Sequence, residues 1–556
     1  MPLPSTVVNI NSANWSDHLN SFHKPVQRLR YTGLFSGEDV QRNVGDSAAN
    51  EMQGQKNAPI PIDTPIPLVL VKIKKVGNPT DGLVAKLYQS DANGAGALPG
   101  TLVATSIEVK ASQMSTTSQW NKFWFLQPYT GAMQVFHLAI SRTGSYDAAN
   151  YYQIECDSTS ADLGSGAAQT RLNNGTWSEI NTSRLMLMAH VARAEYYTFA
   201  IDRTNNKLRC YSSTDGGLTW TEKDSANAPS VLSTATLRSI CVNSIVGEQF
   251  TYVARAVSTT QLSVRGFDMH GNAWSTGVDQ TLTVAAFNTN VSGQAPLFGF
   301  WRQYFGGVSA KMAIYQGATE SNMGTPYRRI KLTVFVGGST STYDVVGSTN
   351  TPNSTLPGTA VHYDLRSAFM DDLGNAYIFY TQSDDSLLRL RIYKSNDTFC
   401  TILNPASAAS SNSANYPVGL GTSFWRDGEN YVGLPYVDGS STKVITAKAG
   451  TDAETAGNWT AATAVASAAE VAASNPATLV PDNDGGGKLF LFRVRTDKTI
   501  GLCDDGAVGT WSTETDWRSG QSVAGISGGA LLNAPTAGIT YLDTVPATDE
   551  LKHDHL

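Results

Sequence analysis

The chain has 556 residues, of which 41% are hydrophobic and 16% charged, so it is long enough for two or more domains with sizeable cores. Its net charge of −7 is spread without a basic stripe, which excludes the electrostatic footprint that nucleic-acid phosphates require. Five scattered cysteines (Cys156, Cys210, Cys241, Cys400 and Cys503) show no Cys-x-x-Cys spacing, so a metal ribbon or disulfide framework is not indicated and buried free thiols are expected.

Gly, Ser, Thr, Asn and aromatic residues are abundant, and turn dipeptides separate short apolar runs, an all-β composition. Met1-Pro2-Leu3-Pro4-Ser5 carries neither a basic n-region nor an apolar h-region, and no run reaches the roughly 18 apolar residues of a membrane span. A protein made and kept soluble in a cytoplasm is expected, with no membrane insertion. Residues 1–30 have Trp15 and Phe22 as their only large apolar anchors. They read as an N-terminal docking arm that orders against a partner, or as a plain disordered terminus.

From 31 to 182 the texture is that of alternating strands. Leu68–Val76 and Leu83–Tyr88 flank the turn-rich Gly77-Asn78-Pro79-Thr80-Asp81-Gly82 and are expected to pair as a hairpin. Leu98-Pro99-Gly100-Thr101 is expected to turn, and Phe123–Leu126 and Val135–Ile140 to be further strands. Six to eight such strands make a jelly-roll β-sandwich the economical arrangement. Asp147, Asn150, Tyr151 and Trp177 are candidates for a sugar site, because aromatic faces stack on pyranose rings and amides and carboxylates bond hydroxyls; core and turn roles are the alternative.

From 183 to 556 an apolar strand, a turn and a second strand recur about every 50 residues, the spacing of propeller blades. Copies begin near Tyr197, Phe250, Lys311, Ala376, Tyr431, Lys488 and Gly538, giving six or seven blades depending on whether the first and last copies share one. The last copy is short, and a strand from near residue 185 is expected to complete it. Ser213-Thr214-Asp215-Gly216-Gly217-Leu218-Thr219-Trp220 sets a carboxylate, two glycines and an aromatic plug into a tight hairpin. This stretch resembles the Asp-box of sialidases and other β-propeller proteins, carried by Ser213, Asp215, Gly217, Thr219 and Trp220. The resemblance implies a structural role at an outer hairpin, with Trp274, Trp459 and Trp511 as degenerate counterparts.

Two classes of function are in view. A sialidase-like glycosidase acting on host-surface polysaccharide would resemble a constellation of three arginines, a tyrosine nucleophile with a glutamate, and an aspartate. The available arginines, Arg302, Arg328, Arg329, Arg391 and Arg426, stand in unlike contexts, and the family's early Arg-Ile-Pro type motif has no match. The acidic pairs Asp371-Asp372, Asp384-Asp385 and Asp504-Asp505 are expected in solvated turns. His553 and His555 flank Asp554 at strand spacing and read as surface residues, so no metal and no cofactor is expected. The binding class draws on Phe300–Phe305, Tyr327-Arg328-Arg329 and Phe424–Asp427, with Trp301, Arg302, Tyr304, Tyr327, Arg328, Trp425 and Arg426 as candidate contacts for a glycan or a protein partner.

Lys75-Val76-Gly77-Asn78-Pro79, Leu98–Ser106 and Asp147–Tyr152 resemble a sandwich module of bacteriophage virion proteins and bacterial surface proteins, similar in outline to carbohydrate-binding modules. Ala313–Thr319 with Met323–Arg329, and Val361-His362-Tyr363 with Tyr377–Tyr380, resemble phage-encoded propellers. Together these resemblances imply a tail-fibre or spike-like virion protein, non-enzymatic, assembled in the host cytoplasm. Its implied partners are other virion proteins and host-surface polysaccharide, and it is expected to be a homo-oligomer although no heptad stretch marks one.

Overall fold

A computed structural model describes residues 7–9, 26–32, 40–57, 66–91, 98–129, 136–157, 169–180, 184–185, 187–202, 205–213, 220–231, 241–244, 250–258, 260–268, 271–275, 280–283, 297–303, 309–317, 320–322, 325–327, 329–336, 339–346, 363–371, 374–382, 387–406, 421–426, 429–437, 441–460, 463–467, 477–481, 488–495, 499–507, 510–518, 523–530, 537–543 and 550–555. The chain is all-β; among these residues the only helical elements are 3-10 turns such as Ala48–Asn50 and Asp452–Glu454.

Ten strands lie between residues 40 and 180, where six to eight were expected. They divide between two sheets. One holds Val40–Val44, Ile66–Val76, Gln119–Tyr129 and Tyr151–Asp157; the other holds Met52–Asn57, Leu83–Ser90, Pro99–Thr105, Phe136–Arg142, Gln169–Asn173 and Thr176–Ile180. Alternation along each strand decides what is buried. Val69, Val71, Ile73 and Ile154 from the first sheet and Leu83, Ala85, Leu87, Leu138 and Ile140 from the second meet in one core.

The expected hairpin is corrected by this topology: Ile66–Val76 and Leu83–Ser90 are consecutive but lie in opposite sheets. The Gly77–Gly82 connection therefore passes from one sheet to the other at the surface instead of folding back within a sheet. Gly77 has φ +69, and a Cβ there would stand 2.3 Å from the Ala149 carbonyl oxygen, so only glycine fits. Pro99-Gly100-Thr101, expected in a turn, begins a strand at the end of its sheet, where a missing N–H is tolerated.

Beyond residue 186 the described strands form a series of seven sheets, the first of them continuous with the sandwich sheet that holds Ile66–Val76, and one separate two-stranded pair, Glu320–Asn322 with Thr325–Tyr327. Each of the seven apolar copies seen in the sequence is the second strand of its sheet: Leu187–Asp202, Phe250–Ser258, Ser309–Gln316, Ala376–Gln382, Glu429–Val437, Leu489–Val494 and Ala537–Asp543. Consecutive sheets share cores. Tyr197, Phe199 and Cys210 pack on Val253, Phe267 and Trp274 of the next sheet, Phe369, Tyr377 and Phe379 on Val432 and Leu434, and Val444 on Leu479 and Leu491.

The ends of the chain depart from expectation. The strand that completes the last sheet is not near residue 185; it is Val7–Asn9, which pairs with Glu550–His555. Arg184–Leu185 instead pairs with Cys156–Asp157 in the sandwich. Val26–Thr32 runs along one edge of Leu187–Asp202, whose other edge pairs first with Leu68–Val71 and then with Lys207–Ser213. The sandwich is thus inserted between the first two strands of the first sheet in the series, and residues 7–9 and 26–30 of the expected arm belong to that series.

Deleting residues 1–12 is predicted to lower the melting temperature by several degrees in scanning calorimetry, because it strips the outer strand from the last sheet. An unchanged melting temperature would contradict the pairing.

Candidate functional site

A concavity of about 290 Å³ opens on the fifth sheet of the series, which consists of Thr422–Arg426, Glu429–Val437, Ser441–Lys448 and Thr463–Ser467. Register builds it. Tyr431 stands opposite Lys448, so both side chains rise from one face, and Thr446 follows on the same face two residues before Lys448. The connection between the third and fourth strands supplies the far wall through Asp452, Asn458 and Thr460.

That connection is held firmly. Gly450 takes φ +80 to leave the strand, a conformation suited to glycine. Its N–H donates to the Tyr377 hydroxyl of the preceding sheet at 3.2 Å. Two 3-10 turns, Asp452–Glu454 and Ala456–Asn458, then lead to Trp459, which is buried with its Nε1–H donating to the Ala453 carbonyl at 3.1 Å and its ring edge-on to Phe379 at 5.8 Å. Lys394 pairs with Glu454 at 3.1 Å. The Thr460 N–H donates to the Thr446 carbonyl at 2.8 Å, and the Thr446 N–H returns a bond to Thr460 Oγ1 at 2.9 Å. The wall is therefore set before any ligand arrives.

The lining combines a half-buried phenol ring, an exposed ammonium, an exposed carboxylate, an amide and two hydroxyls. One cation and one anion leave it without net charge. Such a surface offers donors and acceptors together beside an aromatic face, which suits a neutral polyhydroxylated molecule better than an ion. The volume is at the small end of ligand pockets, about 300 Å³ and upward.

Of the residues singled out by sequence, Arg426 adjoins this concavity from inside the sheets. It lies at the end of a strand, buried, with Nη2 donating to Asp505 Oδ2 of the next sheet at 3.0 Å and its guanidinium 5.3 Å from the Phe424 ring centroid. It is held by a buried ion pair, not displayed on an open loop. Trp301 and Arg302 lie on strand Leu297–Gln303, Tyr327 on Thr325–Tyr327 and Trp425 on Thr422–Arg426, with their side chains outside the described set; Tyr304 and Arg328 fall outside the described residues.

Ser213 ends strand Lys207–Ser213, and half-buried Trp220 immediately precedes the returning strand Thr221–Lys223; Asp215, Gly217 and Thr219 lie outside the described residues. Trp274 is buried against Phe199 and Phe267. Cys156, Cys210, Cys400 and Cys503 are buried. Among the described residues no cluster of three or more metal-ligating side chains occurs, and no helix is long and apolar enough to cross a membrane.

The acidic pairs are corrected in part. Asp371 is buried, not solvated: its carboxylate accepts from the Asn375 N–H at 2.8 Å and from Asn375 Nδ2 and the Tyr377 hydroxyl at 2.9 Å each. Asp505 is likewise buried, and that burial pushes its carboxyl above the usual aspartate range despite Arg426. Asp504 pairs with Lys488 at 3.0 Å and remains partly exposed. Asp372, Asp384 and Asp385 lie outside the described residues.

The three candidate arginines whose side chains are described make separate contacts. Arg329 bonds Asp344, Arg391 lies over the Phe399 ring at 5.2 Å, and Arg426 holds Asp505. In the sandwich, Asp147 and Asn150 serve loop structure: Asp147 Oδ1 accepts the Ala149 N–H of its own loop at 2.9 Å, and Asn150 Oδ1 accepts the Asn78 N–H of the Gly77–Gly82 connection at 2.7 Å. Tyr151 opens strand Tyr151–Asp157, and Trp177 packs edge-on to Tyr88 at 5.6 Å in a satellite core with Met52 and Leu172.

Tyr431, Lys448, Asp452 and Asn458 were not identified as a site from sequence. The available signal was Gly457-Asn458-Trp459-Thr460, where the box-like tryptophan marked a fixed turn beside an apolar strand.

No protein-family model matches the chain, and no curated protein matches it. Among solved structures the chain is similar to the six-bladed β-propeller fucose-binding lectin of Aleuria aurantia, with 14% identity over 59% of this chain and 93% of that one, at a TM-score of 0.36. It is also similar to an α-L-arabinofuranosidase of Fusarium graminearum, with 11% identity over 65% and 89% and a TM-score of 0.34. A Hadza microbial sialidase shows 10% identity over 90% and 94%, with a TM-score of 0.35.

Arg426→Ala is predicted to destabilise the chain by about 3–5 kcal/mol, because it strands a buried carboxylate. Urea unfolding checks this; a loss below about 1 kcal/mol, the range of exposed pairs, would contradict the burial.

Proposed function

We propose that this chain is a non-enzymatic recognition protein that binds a neutral saccharide in the pocket lined by Tyr431, Lys448, Asp452 and Asn458. The observation that carries this reading is the pocket's composition: an aromatic face, balanced charges, an amide and hydroxyls, set on a turn already fixed by Trp459 and Gly450. A sugar ring presents an apolar face for the tyrosine and hydroxyls that both donate and accept, so each lining group has a counterpart.

In the same proposal the seven serial sheets are the blades of a β-propeller, and the two face-to-face sheets are a jelly-roll sandwich inserted into its first blade. Seven second strands at equivalent positions and the Val7–Asn9 strand on the last sheet support seven blades over six. The setting we propose is a bacteriophage virion, as a fibre or spike component that docks on other virion proteins, in several copies, and recognises host-surface polysaccharide. The resemblance of the sandwich and propeller segments to virion modules supports this. An open pocket of this size binds weakly, and display of many copies on a particle would raise the avidity.

The test is to pass host-envelope polysaccharide over immobilised protein and follow retention and chain length together. Retention of intact chains is expected, with Tyr431→Ala and Asn458→Ala each weakening binding about tenfold. No retention would overturn the saccharide reading, and shortened chains would replace it with a glycosidase.

A further inference from the structure

Behind the pocket, one face of the fifth sheet carries a continuous row of packed groups. Phe424 pairs in register with Tyr431, and Tyr431 with Lys448. The rings of Phe424 and Tyr431 stack at 5.5 Å with 23° between their planes. Arg426, two residues beyond Phe424 and so on the same face, sets its guanidinium 5.3 Å from the Phe424 centroid. Its Nη2 reaches across to Asp505 Oδ2 at 3.0 Å, where the two side chains are 7% and 2% exposed. The other carboxylate oxygen, Asp505 Oδ1, is buried and has no hydrogen-bond partner among the described residues.

We propose that Arg426 and Asp505 form a positioning pair for the pocket: Asp505, from the sixth sheet, holds the Arg426 guanidinium against Phe424, and Phe424 in turn fixes the plane of the Tyr431 ring that receives the ligand. This rests on the saccharide reading of the pocket. Neither Arg426 nor Asp505 lines the concavity, so both act on binding through the two rings.

The chain of contacts has a direct chemical consequence. Among the described residues Arg426 is the one hydrogen-bond donor on the Asp505 carboxylate, so neutralising that carboxylate weakens the ion pair that holds the guanidinium against Phe424 and loosens the ring stack. The charged groups around Asp505 are Arg426 from the fifth sheet, its neighbour Asp504, and Lys488 at the start of the adjacent strand. Burial raises the Asp505 carboxyl, so the pair is intact at neutral pH and is lost on acidification earlier than for an ordinary aspartate.

The experiment uses the full chain with carbon-13-labelled tyrosine rings, the Tyr431 signal being assigned by its absence in Tyr431→Phe. Asp505→Asn and the double variant Arg426→Met with Asp505→Leu are compared with the parent. Replacing both members by apolar groups is expected to bring the melting temperature close to the parental value, since no buried charge is left unpaired. The Tyr431 signal is nevertheless expected to move, and affinity for host-envelope polysaccharide to fall about three- to tenfold. In the parent the Tyr431 signal should titrate with a midpoint above that of an ordinary aspartate, and in Asp505→Asn it should be flat.

A parental melting temperature with an unmoved Tyr431 signal in the double variant would overturn the proposal and leave the pair a purely structural link. A flat parental titration would overturn it too, even if the double variant failed to fold. Absence of polysaccharide binding by the parent would sink the saccharide reading, while the ring signal alone would still decide the positioning role.

Discussion

The strand Leu187–Asp202 is the constraint on which the architecture depends. Its sixteen residues are bonded on one edge to Val26–Thr32 and on the other to two different partners in succession, the sandwich strand Ile66–Val76 and the strand Lys207–Ser213. Val26–Thr32 runs past the point where the other edge changes partner, pairing with 189–192 before it and with 196–197 after it, so a bend there would break main-chain hydrogen bonds. The sandwich and the first sheet of the series are therefore fixed to one another by main-chain geometry, whatever their side chains do.

Between successive sheets the cores are apolar, but the rims hold polar groups that must be satisfied locally. Asp371 ties its own turn to Tyr377, and Tyr377 in turn receives the Gly450 N–H of the next sheet. Arg493 reaches both Glu514 at 2.6 Å and Thr442 of the preceding sheet at 3.3 Å. Each such contact specifies how two sheets meet, because a shifted sheet would strand a buried charge or donor. The pocket inherits its rigidity from this arrangement: its turn is anchored to the fourth sheet through Gly450 and Trp459, and its floor is linked to the sixth through Phe424 and Arg426.

What the sequence disclosed follows from burial. A second strand covered on both faces reads as an unbroken apolar run; Leu489–Val494 is buried at every position, and Ala376–Gln382 at all but the last. All seven runs were visible for that reason. Val7–Asn9 is three residues long in a polar segment and offers no periodicity. The supposed hairpin of Ile66–Val76 and Leu83–Ser90 misled because alternation reports which face is buried but not which sheet a strand joins. Asp371 and Asp505 carried turn chemistry, yet both are buried: Asp371 against Asn375 and Tyr377 of its own turn and strand, and Asp505 against Arg426 of the neighbouring sheet, a relation that spans 79 residues of sequence. The pocket was illegible on the same ground: Tyr431, Lys448 and Asn458 meet only through strand register and one fixed turn, whereas aromatic-arginine clusters such as Phe424–Arg426 stood out in sequence and proved, at Arg426, to be interior.

The central claim is that saccharide binds at the fifth sheet. Hydrogen exchange followed by mass spectrometry, with and without host-envelope polysaccharide, tests it most directly, since it reports which backbone amides a ligand protects. The account predicts added protection confined to peptides spanning 429–437 and 441–460. Protection centred on 297–303 or 325–327 instead, or an unchanged pattern at a polysaccharide concentration that saturates the protein, would contradict it.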